Sequence, residues 1–160
     1  MAYIIGMLIL ASSFSRIASS GTRPTQIFDS FGDICCDAEK ARLDNFAVAL
    51  QNEPQGTGYI IFYGGTRYKY PWCSSKREVL PRRGESQARA TRLKPYLVNS
   101  CAMDPQRIIV INGGYRETLT AELWIVPKGA QAPTPTPTVQ PKDVRFRRGA
   151  IRKRAYECEV

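Results

Sequence analysis

The run TGYIIFYGG, residues 57–65, sets the strictest condition on the fold. Its five consecutive apolar residues, Tyr59 to Tyr63, show no polar alternation, so neither face of a strand built from them suits water. Such a strand belongs at the centre of a sheet, covered on both faces or nearly so. A second run of the same kind, RIIVINGGY at 107–115, forms the next buried strand, and its Gly113 and Gly114 supply the positive φ that a tight reversal needs. In LTAELWIVP, at 119–127, Ala121, Leu123 and Ile125 alternate with Glu122, Trp124 and Val126, so one face packs and the other is amphipathic.

Helices fill the intervals. CCDAEKARLDNFAVALQNEP, at 35–54, places Leu43, Phe46, Ala47 and Leu50 at the i, i+3, i+4, i+7 spacing of one helix face, with Asp37 near its start as cap and Pro54 to end it. TQIFDSFGDI, at 25–34, precedes it as a short strand carrying Ile27, Phe28, Phe31 and Ile34. Between the two buried runs, Ala90, Leu93 and Leu97 form the apolar stripe of a second helix. Arg89 and Arg92 lie off that stripe, Arg92 as ordinary surface charge. Pro95 denies a donor to the carbonyl of Thr91 and should kink this helix. The order is βαβαββ, an α+β two-layer sandwich with two helices on one face of a mixed four-stranded sheet. Right-handed crossovers put both helices on the same side and leave the opposite face more exposed.

The ends differ in composition. Tyr3 to Ala11 is a short apolar run, and Ala18-Ser19-Ser20 precedes Gly21 as a cleavage site, so 1–20 reads as an export signal, with a retained anchor as the alternative. The run is too short for an ordinary span of about 20 apolar residues, which leaves no transmembrane segment once the signal is removed. The domain is expected over 21–130. Pro alternates with Thr from Pro133 to Pro137, which reads as a linker at 131–141, and 142–160 reads as a basic disordered tail.

With 23 Lys and Arg against 14 Asp and Glu, the chain carries +9. The cations gather in two zones, nine between Arg67 and Lys94 and seven between Lys142 and Val160. Without aromatics interleaved on a defined surface these read as solvated loops and not as a nucleic-acid interface. Histidine is absent, which excludes imidazole-based triads and His-containing zinc sites. Asp29, Asp33, Glu39 and Glu53 are scattered without the spacing of a converging carboxylate pair, so no catalytic centre and no cofactor is expected. The five cysteines include no CxxC pair. In this topology Cys35 or Cys36 comes near Cys73, whereas Cys101 lies at the far end of the second helix, about 20 Å away. A bridge needs Cα atoms within about 7 Å, which favours Cys36 with Cys73. Unpaired thiols are the alternative.

The segment ARATRLKPYLVNSCAMDPQRIIVINGGYRE, at 88–117, resembles the OmpA-like C-terminal domain family. Arg89-Ala90, Tyr96-Leu97, Arg107-Ile108 and Gly114-Tyr115-Arg116-Glu117 occupy, in order, the places of that family's Arg-Ala pair, Tyr-Leu pair, Arg-Ile strand and Gly-Tyr-x-Glu turn. The likeness extends over about Phe28 to Ile125 when the element order is included. It implies a periplasmic or outer-membrane-associated module that holds the peptide stem of peptidoglycan. In the family an Asp after the second strand takes the ammonium of diaminopimelate and the helix-two Arg takes its carboxylate, a pairing that suits a guanidinium fork. Arg89 matches that Arg, and Gly64, Gly65 and Thr66 fall on the family's Gly-His-Thr-Asp loop. Arg67 stands where the family carries the Asp. The function implied is noncatalytic binding of peptidoglycan or a related envelope anion at Arg89, Thr66, Gly64 and Gly65. The alternative is a scaffold of the same fold with a decayed ligand site, reaching an envelope protein through its linker and tail.

Overall fold

A computed structural model describes residues 24–69 and 77–151. The main sheet runs β1-β6-β2-β5, from strands β1 (Gln26–Phe31), β2 (Thr57–Gly65), β5 (Ile108–Arg116) and β6 (Thr120–Val126). β6 is antiparallel to both β1 and β2, and β2 is parallel to β5, so the sheet is mixed. The strand with the longest apolar run is interior, as its composition requires. A two-stranded ribbon, β3 (Tyr68–Lys69) with β4 (Glu78–Val79), follows β2.

Helix α1 (Cys36–Gln51) buries Leu43, Phe46, Ala47 and Leu50 against the sheet. Cys35 occupies its N-cap and makes no side-chain capping bond, and Asp37 sits instead in the first turn, where a carboxylate still suits the positive helix end. The second helical segment is split into α2 (Glu85–Ala90) and α3 (Leu93–Asn99). Pro95 explains the break. As the third residue of α3 it lies where a backbone N–H has no partner inside the helix, so the missing donor costs nothing there. Ala90, Leu93 and Leu97 are buried across the break and join the core of Phe31, Ile60, Phe62, Ile108 and Leu123.

The reversal between β5 and β6 falls at Glu117–Leu119, not at the paired glycines. Gly113 and Gly114 lie within β5, where the pairing with β2 shifts register between Phe62 and Tyr63. Gly114 alone of the two has positive φ, at 82°. Gly113 is required for contact: a Cβ there would stand 2.5 Å from the Tyr63 ring.

The face of the sheet opposite the helices is not open. Residues 131–141 read as a linker and 142–160 as a disordered tail, yet residues 131–151 lie on the domain. The chain crosses the sheet in the order of its strands. Thr25, before β1, donates its hydroxyl to the Gln131 carbonyl (2.6 Å), the Thr136 N–H donates to the Tyr63 hydroxyl of β2 (3.1 Å), and the Thr138 and Val139 N–H groups both reach the Tyr115 carbonyl of β5 (3.0 Å each). The strap lies on Tyr63, which like Ile61 is completely buried although both fall outside the helical core cluster. Beyond it Val144 is buried and the Arg147 N–H bonds the Pro81 carbonyl at 2.9 Å. A proline-rich stretch suits the role because its extended backbone leaves polar groups free for long-range partners. Residues 152–160 lie outside the described residues.

Candidate functional site

Arg89 projects from α2 at the carboxyl end of β2 and is almost fully buried, its side chain 4 % exposed. Nη1 donates to Asp33 Oδ1 at 2.9 Å, and Nη2 lies 3.4 Å from Glu85 Oε1. The guanidinium stacks 4.4 Å above the Tyr68 ring. Both carboxylates are fixed from behind: Asp33 Oδ2 accepts the Lys69 N–H and Glu85 Oε2 accepts the Arg82 N–H, each at 2.8 Å. Burial raises the Tyr68 phenol well above its ordinary pKa, Arg89 opposes the rise and Glu85 adds to it. The group is therefore a cation held by two acidic side chains of its own chain under an aromatic lid. Such a buried cation is retained only because it is paired.

The neighbouring loop is closed too. Thr66 directs both its N–H and its hydroxyl at the Glu117 carbonyl, at 3.2 and 2.9 Å, and not toward Arg89. A Cβ on Gly65 would meet the Leu119 nitrogen at 2.5 Å, and one on Gly64 would meet the Tyr115 ring at 2.8 Å and Ser86 Cβ at 3.0 Å. Gly64 and Gly65 serve close packing of β2 against the β5–β6 turn and the start of α2. Arg67 is exposed.

Arg92, expected as surface charge, is not: its side chain is 12 % exposed and donates through Nε and Nη2 to both oxygens of buried Glu39, at 2.8 and 2.5 Å. The Glu39–Arg92 pair ties α1 to the junction of α2 and α3 within the helical layer. Arg107 is a further residue whose role lay outside the stripe pattern. Its guanidinium reaches the carbonyls of Leu50, Glu53 and Gly56 at 2.7, 2.7 and 3.0 Å, and so satisfies acceptors around the carboxyl end of α1.

A second polar cluster lies under the strap. Arg116 pairs with Glu122 at 2.8 Å and stacks 3.5 Å over the Tyr63 ring, while the Tyr63 hydroxyl and Trp124 Nε1 both donate to Glu122 Oε2, at 3.3 and 3.1 Å. Arg116 also donates to the Thr136 carbonyl and hydroxyl, at 3.2 and 2.7 Å. Thr136 of the strap is thus held by both Arg116 and the Tyr63 hydroxyl. At the next turn the Thr138 hydroxyl bonds Glu117 and holds its carboxyl below the usual pKa.

Among the described residues no group of three Cys, Asp or Glu side chains converges to hold a metal, and no helix is long and apolar enough to cross a membrane. Cys35 and Cys36 are disulfide-bonded, Cys101 is a free thiol, and Cys73 lies outside the described residues. Searches of protein-family models, curated proteins and solved structures found no match to this chain.

Proposed function

We propose that the chain is a noncatalytic, exported cell-envelope module of OmpA-like architecture that acts as an interaction scaffold, with its Arg89 site closed by its own carboxylates. One observation carries this reading: Asp33 and Glu85 take the guanidinium edges that a diaminopimelate carboxylate would need, and Tyr68 covers its face. A ligand carboxylate would have to displace two partners already fixed by backbone donors. Arg67 in place of the family's Asp points the same way, since it repels an ammonium instead of accepting one.

Sedimentation with purified peptidoglycan tests the proposal. Wild type and Arg89→Ala, each checked for folding by circular dichroism, are expected to stay in the supernatant once salt screens general attraction. Salt-resistant pelleting of wild type that is lost in Arg89→Lys would overturn the closed-site reading in favour of peptidoglycan binding. Export is tested separately. Mass spectrometry of envelope material is expected to place the mature start at or near Gly21, and recovery of the intact chain only from cytoplasm would remove the envelope assignment.

A further inference from the structure

The two basic zones, separate in the sequence, meet in the structure. The Arg147 N–H bonds the Pro81 carbonyl at 2.9 Å, which lays 145–149 beside 81–84. Arg83 stacks 4.8 Å over the Phe146 ring, whose edge meets Tyr115 at 6.1 Å. Gly149, at φ 116°, lies against the Arg82 guanidinium, and the Ile151 side chain reaches Gly84. Buried Val144 anchors the segment from beneath. Arg82, Arg83, Arg145, Arg147 and Arg148 thereby share one surface, with Arg83, Arg145 and Arg148 exposed. Arg42, Arg89, Arg92 and Arg116 are engaged in salt bridges, and among the described residues none neutralises Arg82, Arg83, Arg145 or Arg148. The nearest carboxylate in the adjoining helix, Glu85, is buried and committed to Arg89 and the Arg82 backbone.

From this we infer that the 81–84/145–149 surface is an electrostatic docking face for an anionic phospholipid bilayer. The inference is independent of the Arg89 reading. Charge complementarity selects a phosphate-bearing partner, because guanidinium forks match phosphate oxygens and remain charged at any physiological pH. A bilayer fits better than a nucleic acid. Among the described residues the aromatic within the cluster is Phe146, and its ring is engaged by Arg83 on a face and by Tyr115 at the edge, so it does not serve as a free stacking platform for bases. Arg145 and Arg148 are exposed on the docked segment and Arg83 is exposed on the loop it docks against, which leaves all three open to headgroups. Adsorption of this kind gains roughly a fivefold affinity factor per cation near the surface and fades with salt.

Vesicle co-sedimentation with the full chain tests it. Wild type should bind phosphatidylcholine vesicles containing phosphatidylglycerol, not pure phosphatidylcholine vesicles, and should be released by salt. The triple reversal Arg83→Glu, Arg145→Glu, Arg148→Glu should lower partitioning about a hundredfold or more. A control matched in net charge to the double reversal given next, Lys40→Glu, Lys128→Glu, should stay close to wild type. Because Arg83 also packs on Phe146, the double reversal Arg145→Glu, Arg148→Glu gives a second readout, with a loss of tenfold or more. Absence of wild-type binding, equal losses in the patch and control variants, or tighter binding to a DNA duplex than to the vesicles at the same salt would each overturn the proposal.

Discussion

Replacing Glu122 probes the strap most directly. Glu122→Ala removes the counterion of Arg116 and the acceptor of both the Tyr63 hydroxyl and Trp124 Nε1 in one step. Breaking a buried ion pair by deleting one partner typically costs 3–5 kcal/mol, and the 19 % exposure of the Arg116 side chain lets water recover part of it, so about 2–4 kcal/mol is expected. For a domain of this size each kcal/mol moves the melting temperature by about 3–5 °C, giving a fall of about 10 °C. Glu122→Gln keeps an acceptor of the same shape and should lose only about 1–2 kcal/mol. Urea titration supplies the free energies, and amide hydrogen exchange reports whether the strap follows. The Thr136 N–H, which donates to the Tyr63 hydroxyl, should exchange faster in Glu122→Ala than in Glu122→Gln. In the double variant Arg116→Met, Glu122→Gln, destabilisation should fall short of the sum of the single effects, because no uncompensated charge is left. Equal stabilities of the Ala and Gln variants, or unchanged exchange at Thr136, would refute the view that the charged pair holds the strap.

Other perturbations separate packing from charge. Arg92→Ala should destabilise by about 3 kcal/mol in urea, since it strands the buried Glu39 carboxylate, whereas a solvated surface cation would leave the midpoint unchanged. Gly113→Ala drives a methyl to 2.5 Å from the Tyr63 ring and should cost about 1–3 kcal/mol, read from the same titration. The Cys101 thiol is pushed up to about 11, by burial first and by its hydrogen bond to Asp44 second. It should therefore react slowly with iodoacetamide near pH 8, and faster in Asp44→Asn. The unfolded chain releases this proton near the ordinary thiol value while the folded chain keeps it, so the Cys101 contribution to stability should decline from about pH 9 to about pH 11 in alkaline melts. Nonreducing peptide mapping is expected to return Cys36 linked to Cys73.

Apolar periodicity made the helical side of the sandwich readable: Leu43, Phe46, Ala47 and Leu50 on α1, and Ala90, Leu93 and Leu97 across α2 and α3, are all buried. The other side was legible only by inference. Ile61 and Tyr63 demanded cover that two helices on one face do not provide, and the remaining chain able to provide it was the Pro/Thr segment. Its composition concealed this, because its partners, Tyr63, Tyr115 and Arg116, are distant in sequence and leave no local period. Arg92 was misjudged for a related reason. A cation off the apolar stripe looks solvated until a carboxylate from another element, here Glu39, is placed beside it.

The strap also fixes an order of events during synthesis. Thr136 is 73 residues from the Tyr63 hydroxyl it bonds, so that contact closes one of the longer loops in the molecule and carries its entropic cost late. The sheet and helices, which precede it along the chain, leave the ribosome first. Until residues 133–139 follow, the face of the sheet that carries Ile61 and Tyr63 lacks its strap, and apolar surface stays open to water. A chain stalled or clipped before Pro133 would be left with that sticky face permanently uncovered, which makes the Pro/Thr segment a check on completeness as well as a cover.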